Sequence, residues 1–305
     1  MQTVLIAGGS GLIGSRLSTL LTEKGYQVRW LSRNPAPGSK YPTFQWDPSK
    51  GTMDSRALEG VDAVINLAGA GIADKRWTKE RKELIISSRV KSTELLAAKI
   101  KEAVVPPTVY LSGAAIGIYG DRGDEVLYET SPAGKEGFLA ESCREWEGAI
   151  QRLERDLPSR TCYLRIGLVL SGKGGALPKI KMSFYLGQGV YFGNGRQWYS
   201  WIHIDDVCGM FIAALENETW SGVYNATAPN PLQNKAFTRK VGRTLFPFFV
   251  LTPVPAFFLR IILGEMADTV LSSARVLPRR AEEAGFVFQF SELGDCLKDL
   301  KQRKL

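Results

Sequence analysis

The chain has 305 residues, of which 44% are hydrophobic and 23% are charged, and its net charge is +8. This balance excludes disordered and fibrous classes, and the length is sufficient for one large or two modest domains with a packed core. The four cysteines are widely spaced and form no C-x-x-C pair, so the sequence predicts no metal site, no disulfide framework and a cytoplasmic location.

The first predicted element is a buried strand, Thr3–Ala7, that leads through a glycine turn into a helix over Leu12–Lys24. Such a turn directs backbone N–H groups and a helix N-terminus toward an anion, commonly the pyrophosphate of a dinucleotide. The alternative is a glycine-rich turn that binds nothing. The pattern favours a dinucleotide site, and the predicted contacts are Gly8, Ser10, Gly11, Leu12, Ile13 and Gly14.

The second predicted strand, Val28–Ser32, ends at Ser32-Arg33 and not at an acidic residue. An acidic residue there would bind the adenosine ribose of NAD and repel a 2′-phosphate. Arg33 instead offers a planar cation to that phosphate, so the sequence favours NADP over NAD. The alternative is an ordinary surface arginine.

A third strand, Ala63–Leu67, is followed by small residues and then by a helix over Lys79–Ile100. Leu67, Ala68 and Gly69 would let the backbone approach the adenosine or its ribose, unless they form a plain turn. Arg89, on the helix, is predicted to reach the cofactor or to be a surface charge.

Further strands at Val109–Ser112 and Cys162–Gly167 and a helix at Leu139–Leu153 continue the alternation. Near-continuous apolar strands that alternate with helices predict an α/β fold, a Rossmann-type doubly wound parallel sheet with a smaller C-terminal lobe. The predicted domains are an NADP-binding domain of residues 1–170 plus about 200–230, and a substrate lobe of residues 171–199 plus 231–305.

The C-terminal third contains the most apolar stretch, Leu245–Leu263, which is interrupted by Pro247, Pro253, Pro255 and Arg260. It is predicted to be a loop followed by a core-facing helix, and no membrane partner is expected.

A short basic cluster at Lys298–Lys304 is interpreted as a solvated tail. Without an accompanying aromatic-basic module, it predicts no nucleic-acid partner.

Several motifs resemble those of the extended short-chain dehydrogenase/reductase superfamily: the glycine turn, Asn66–Gly69, and the strand that ends in L-S-G-A-A-I-G-I-Y-G at Leu111–Gly120. More narrowly, the chain resembles an epimerase-family (NAD-dependent epimerase/dehydratase) subgroup sometimes labelled as cell-division inhibitors. The matching blocks are Arg76-Trp77, Ser88-Arg89, Cys143 with Trp146-Glu147, Gly174–Pro178, Gly195–His203 and the C-terminal Pro253–Phe286, which resembles the subgroup's characteristic domain. The resemblance implies that the backbone near Val169 flanks the nicotinamide.

The resemblance also implies a catalytic Tyr and a Lys four residues later on one helix, but Leu139 and Cys143 stand at those positions. The usual Ser position is Ala114. Tyr119, His203 and Ser112 are the weak catalytic candidates, with structural roles as the alternatives. For His203 the alternative is pairing with Asp205 or Asp206.

The sequence therefore predicts an NADP(H)-binding protein with oxidoreductase or epimerase-type activity on an unidentified small molecule, as a monomer or homodimer. The alternative is a non-catalytic NADP(H)-sensing protein. Cys143 is predicted to be buried and inert, and it would act only with a shifted thiol pKa.

Overall fold

The computed structural model describes residues 2–303 of the chain. Its strands are β1 (Thr3–Ala7), β2 (Gln27–Ser32), β3 (Thr43–Asp47), β4 (Thr52–Met53), β5 (Ala63–Asn66), β6 (Val109–Ala115), β7 (Val126–Leu127), β8 (Arg160–Ile166), β9 (Leu168–Leu170), β10 (Gln188–Phe192), β11 (Trp198–Tyr199), β12 (Trp201–His203), β13 (Gly222–Ala226), β14 (Leu232–Gln233), β15 (Val250–Val254) and β16 (Arg275–Val276). Its helices are α1 (Leu12–Glu23), α2 (Lys79–Glu102), α3 (Phe138–Asp156), α4 (Ala176–Phe184), α5 (Ile204–Glu216), α6 (Asn234–Leu245), α7 (Ala256–Leu263), α8 (Asp268–Leu271), α9 (Arg279–Glu283) and α10 (Leu293–Arg303).

The main sheet has eight strands in the order β13-β8-β6-β5-β1-β2-β3-β4. All neighbouring pairs are parallel except β3 with β4. Because β2 follows β1 on one side and β5 lies on the other, the strand order reverses at β1. Ligands of open α/β sheets bind in the crevice at the carboxyl ends beside such a reversal.

Residues of β1 alternate between two hydrophobic cores. Val4 and Ile6 pack with Leu17 of α1 and the apolar face of α5, whereas Leu5 and Ala7 pack with α2 and α3. A strand that is buried on both faces needs apolar residues at every position, which explains the unbroken run at the start of the sequence. The predicted doubly wound α/β fold is confirmed.

The smaller C-terminal region contains α4, α6, α7 and the parallel pair β10–β15. The packing of α6 against α10 closes this region on one side. A second parallel pair, β9–β12, joins the segment after β8 to the segment before α5. The domain boundaries given above remain a prediction.

The sequence analysis missed several strands, among them β3, β4, β10 and β15. β3 and β4 lie at the sheet edge, where only Trp46 of β3 is buried, so the continuous apolar run of a central strand is missing. β15 contains Pro253, which has no backbone N–H to donate. Because proline is rare within strands, the residue preferences of this segment do not indicate a strand.

Two further expectations are wrong. The helix after the proline-rich stretch, α7, does not face the core, since only Leu259 is buried and Phe257, Phe258, Ile261 and Ile262 are 49–68% exposed. The basic C-terminal cluster is helical as far as Arg303, whose guanidinium binds Asp205 and Asp299, so it is no solvated tail. Lys304 lies outside the described residues. No helix within residues 2–303 is long and apolar enough to cross a membrane.

Candidate active site

The glycine turn between β1 and α1 forms one wall of the crevice. Gly8 has φ = +83°, and a Cβ there would lie 2.8 Å from the carbonyl carbon of Leu67. A Cβ on Gly14 would lie 2.3 Å from the Gly8 oxygen, so only glycine lets the helix start so close to the turn. The Gly11 N–H donates to the Gly8 oxygen at 3.0 Å. These contacts make the turn a bare-backbone cradle.

The N-terminus of α1 has no side-chain cap, and its first turn contains no acidic residue. Helix N-termini carry unpaired N–H groups and a partial positive charge, so they are usually satisfied by a capping side chain or by an anion. Ser10 and Gly11 are exposed, while Leu12 and Ile13 are half-buried. The predicted pyrophosphate contacts therefore lie together at an accessible helix end.

Ser32 is the last residue of β2, the strand next to β1, and Arg33 follows it. The Ser32 hydroxyl accepts the Asn34 N–H at 3.2 Å. Arg33 is exposed, and its guanidinium makes no hydrogen bond or ion pair with any residue that the structure describes. A cation is thus available at the strand end where an adenosine ribose would be expected.

The loop after β5 lies across from the glycine turn. The Leu67 N–H donates to Ala7 at 2.8 Å, and the Ala68 N–H donates to the Asn66 side chain at 3.1 Å. A Cβ on Gly69 would lie 3.1 Å from the guanidinium carbon of Arg89. The loop therefore packs closely against the end of β1 and the glycine turn, and Arg89 contacts it at Gly69.

Arg89 has no carboxylate partner among residues 2–303. Its guanidinium carbon lies 5.1 Å from the ring centre of Trp146, and its Nη1 donates to the Ile85 carbonyl at 2.9 Å. Burial lowers the pKa of Arg89 from its usual range. A desolvated cation without an acidic partner is costly for a fold, and an anionic ligand would offset that cost.

A second glycine loop covers the start of α1. Cβ atoms at Gly174 and Gly175 would lie 3.3 and 3.1 Å from the Leu12 side chain, and the Val169 oxygen lies 3.1 Å from the Gly175 position. Sequence analysis found Leu12, Val169 and the glycines separately. Their contact joins the C-terminal region to the turn, and only the three-dimensional structure shows it.

Helix α3 has no Tyr-x-x-x-Lys pair at the site. Leu139 and Cys143 lie one turn apart, and the Cys143 sulfur lies 3.3 Å from the Cβ position of Gly117. Burial raises the pKa of the Cys143 thiol to about 12, although the Arg89 cation acts in the opposite direction. The thiol is therefore protonated at neutral pH, and all four cysteines are buried and unpaired by disulfides.

Tyr119 is fully buried in a polar network. Its hydroxyl lies 2.7 Å from the Asn225 side-chain oxygen and accepts from Arg165 at 2.9 Å. Arg165 also forms two bonds of 2.8 Å to the carboxylate of Glu147 on α3. Burial raises the pKa of Tyr119 to about 12, so this setting favours a structural role.

His203 is fully buried at the N-terminus of α5, where its Nδ1 accepts the Asp205 N–H at 3.0 Å. Its Nε2 lies 3.3 Å from Asp299 of α10, and the Phe290 ring centre is 4.0 Å away. Burial lowers the pKa of His203 to about 4. The carboxylates of Asp205 and Asp206 were the expected partners, but Asp205 binds Arg16 and Asp206 accepts the N–H groups of residues 289 and 290.

Ser112 is also buried, and its hydroxyl donates to the Gly113 carbonyl at 2.8 Å. Ala114, at the usual Ser position, is buried as well. Sequence analysis did not predict that Trp146 stacks with Arg89, or that Glu147 pairs with Arg165, which in turn binds Tyr119. A Trp-Glu pair one helical turn beyond Cys143 was visible, but nothing in the sequence showed what these side chains contact.

Comparison with known proteins adds to this geometry. The model for the NAD dependent epimerase/dehydratase family matches residues 4–226, and the model for a domain of unknown function, DUF1731, matches residues 254–300. The chain is 38% identical to the chloroplastic epimerase family protein SDR39U1 homolog of Arabidopsis thaliana over 99% of this chain and 87% of that protein. It is 37% identical to the epimerase family protein YfhF of Bacillus subtilis, with 98% of each chain covered.

A similar solved structure is human epimerase family protein SDR39U1, isoform 2, crystallised with NADPH. It superimposes with a TM-score of 0.88 at 31% identity and covers 99% of this chain and 100% of the human chain.

Proposed function

Because this chain belongs to the NAD-dependent epimerase/dehydratase family, we propose that it binds NADPH at the carboxyl edge of the main sheet and transforms a small molecule held against the C-terminal region. The sequence resemblance to this family and to its C-terminal domain is thereby confirmed. The reaction class that the family suggests is oxidoreductase or epimerase-type chemistry.

The observation that carries the proposal is the bare glycine cradle opposite the Leu67–Gly69 loop. Cβ atoms at Gly8 and Gly14 would collide with backbone on both sides of the crevice. The uncapped start of α1 adds unpaired N–H groups at the same place. Glycines at these positions let the turn, the loop after β5 and the start of α1 pack together with their backbone N–H groups unobstructed by side chains, and this arrangement supports a dinucleotide.

The choice of NADPH over NADH depends on Arg33. Its exposed guanidinium is unpaired in the described part of the chain and follows the strand adjacent to the glycine turn. A planar guanidinium can bind a 2′-phosphate through two hydrogen bonds. The NADPH in the crystal structure of human SDR39U1 also supports this choice.

A bound nicotinamide would supply the hydride, while this chain would orient the cofactor and the substrate. Arg89, stacked on Trp146, would hold an anionic or ribose oxygen of the cofactor with the donors it does not use for Ile85. The backbone around Val169 would face the nicotinamide side. Since Leu139 and Cys143 replace the usual proton-transfer pair, the proton must come from a different group or from water.

A second candidate function is NADPH sensing without turnover. The observation that favours it is the replacement of both Tyr and Lys on α3 by side chains that cannot exchange protons at neutral pH. Loss of general acid–base catalysis costs roughly 10²- to 10⁴-fold in rate. In either case we propose a cytoplasmic location, in keeping with four reduced cysteines.

Calorimetric titration of cofactor-stripped protein with NADPH and NADH tests the proposal. We expect Arg33→Ala to weaken NADPH binding by about 10- to 100-fold, equivalent to one or two charge-assisted hydrogen bonds, and NADH binding by about twofold or less. Arg56→Ala, which removes an exposed arginine paired with Asp54, is the matched control and should change neither. Equal losses for both cofactors would refute the 2′-phosphate role.

A second assay separates enzyme from sensor. Protein saturated with NADPH is mixed with panels of nucleotide sugars, quinones and small carbonyl compounds, and absorbance of the reduced nicotinamide is followed. Substrate-dependent oxidation supports the enzyme. Tight NADPH binding with no turnover across the panels supports the sensor.

A further inference from the structure

The solvent-facing side of α6 carries four cations and no acidic residue: Lys235, Arg239, Lys240 and Arg243. None of them has a carboxylate within 4.0 Å in the portion of the chain that the structure describes. The opposite side of the helix is buried through Phe237, Thr238 and Val241. Glu292 borders the same surface hollow as Arg239, Lys240 and Arg243, but it accepts from Asn230 and forms no ion pair with them. Cations therefore outnumber carboxylates on this face of the helix.

An exposed apolar surface adjoins the C-terminal end of this face. Tyr185 and Leu186 are 70% and 80% exposed in the turn after α4, and Phe248 and Val250 are 86% and 68% exposed in the segment after α6. Together with the four cations, these side chains form what we call the basic–apolar edge.

Specific contacts hold the parts of the basic–apolar edge together. The Tyr185 ring lies edge-on to Phe246 at 5.5 Å, and the Val250 N–H donates to Gly187 at 2.9 Å. The Phe249 ring fills the space beside Gly242 of α6, where a Cβ would lie 2.5 Å from it. The apolar side chains are thus carried on an ordered frame directly beyond Arg243.

A second exposed apolar face, on α7, has different charged neighbours. Arg260 is paired with Asp268, and Glu265 is paired with Lys82 of α2. Arg76, which donates to the Ile261 carbonyl of α7, adds a third cation there. Two carboxylates thus stand beside three cations at α7, whereas none of the four cations of the basic–apolar edge is paired with a carboxylate in the described residues.

We propose that the basic–apolar edge docks on the surface of an anionic phospholipid bilayer. Anionic headgroups attract Lys and Arg, while exposed aromatic and aliphatic side chains enter the boundary with the acyl chains. The net charge of +8 acts in the same direction. Leu186 and Val250 offer no flat ring for stacking, so the mixed aliphatic tip favours lipid over single-stranded nucleic acid.

The proposal differs from the expectation of no membrane partner drawn from the sequence. It concerns attachment to a membrane surface, by residues other than those of the glycine cradle. It does not depend on the proposed NADPH chemistry.

The test is co-sedimentation of the full-length protein with phosphatidylcholine vesicles, with and without phosphatidylglycerol, at low and high salt. We expect binding only to vesicles that contain phosphatidylglycerol, and weakening by salt. The triple variant Arg239→Glu, Lys240→Glu, Arg243→Glu should lose at least about 100-fold in binding, since each cation near such a surface contributes roughly fivefold. Phe248→Ser with Leu186→Ser should lose about tenfold or more.

The matched control is Lys91→Glu, Lys101→Glu, Lys135→Glu, which makes the same change in net charge at three exposed positions outside the edge. It should retain most of the binding. NADPH titration and thermal unfolding of each variant show that it is folded. Equal losses in both triple variants, absence of binding to anionic vesicles, or binding to single-stranded RNA in place of vesicles would overturn the proposal.

Discussion

Arg165 and Glu147 form a buried ion pair with two hydrogen bonds of 2.8 Å, and this pair lies directly behind Tyr119. The guanidinium uses its third nitrogen to bind the Tyr119 hydroxyl and the Glu129 carbonyl. The side chain of Tyr119, in the segment that follows β6, is thus held in the protein interior. The same arrangement fixes α3 to β8, the strand that leads to Val169.

We expect Tyr119→Phe to destabilise the fold by about 1–3 kcal/mol, because the Arg165 and Asn225 groups that bind the hydroxyl would be left unsatisfied in a buried setting. The affinity for NADPH should stay within about twofold. Chemical denaturation and calorimetry measure the two quantities. An unchanged free energy of unfolding together with lost turnover would instead make Tyr119 catalytic.

Gly14→Ala should abolish NADPH binding, because its Cβ would lie 2.3 Å from the Gly8 oxygen and would push the turn away from α1. Gly148→Ala is the control within α3, since a Cβ there meets only the flexible Arg152 side chain at 3.6 Å. The control should gain about 0.5–1 kcal/mol of helix stability and bind normally. Normal NADPH binding by Gly14→Ala would contradict the cradle.

Arg89→Met should weaken NADPH binding at least about tenfold, with little loss of stability. The substitution removes a desolvated cation that has no carboxylate partner in residues 2–303, while methionine still covers the Trp146 ring. Arg152→Met, at an exposed arginine on α3 paired with Glu94, is the matched control. If stability falls sharply and affinity does not, Arg89 is a packing residue only.

Acid should destabilise the protein through His203. Its pKa in the folded protein, about 4, lies below the value of about 6.5 in an unfolded chain, so the unfolded state binds more protons between these values. The contribution of His203 to stability should therefore fall by roughly 3 kcal/mol as pH decreases from 6.5 to 4, and this group should have no effect above 6.5. Burial raises the pKa of Asp206 to about 6, so that carboxyl acts in the opposite direction in the same range, and only a comparison of variants isolates His203.

His203→Asn tests that expectation, because asparagine still offers a side-chain oxygen to the start of α5 but does not titrate in this range. The variant should have a lower stability at neutral pH, and the difference from the unaltered protein should shrink as pH falls from 6.5 to 4. Free energies of unfolding measured across that range give both slopes. Parallel curves for the two proteins would assign the acid sensitivity to other groups.

The sequence indicated the candidate cofactor-binding residues better than the roles of the candidate catalytic residues. The glycine spacing, the end of β2 at Arg33 and the small residues after β5 are local patterns whose consequences follow from backbone geometry. Tyr119 and His203 were ambiguous because the same residue types serve in catalysis and in buried hydrogen-bond networks. Their partners, Asn225 and Asp299, are separated from them by about a hundred residues of chain.

By itself, the sequence determined the alternation of buried strands and helices, the glycine turn and the absence of Tyr-x-x-x-Lys, since each depends on residues close together in the chain. Only the tertiary structure decided that Arg89 stacks on Trp146, that Leu12 meets the second glycine loop and that α7 presents its apolar face outward. Those contacts join segments distant in sequence, and packing of the whole chain, which no local periodicity specifies, brings them together.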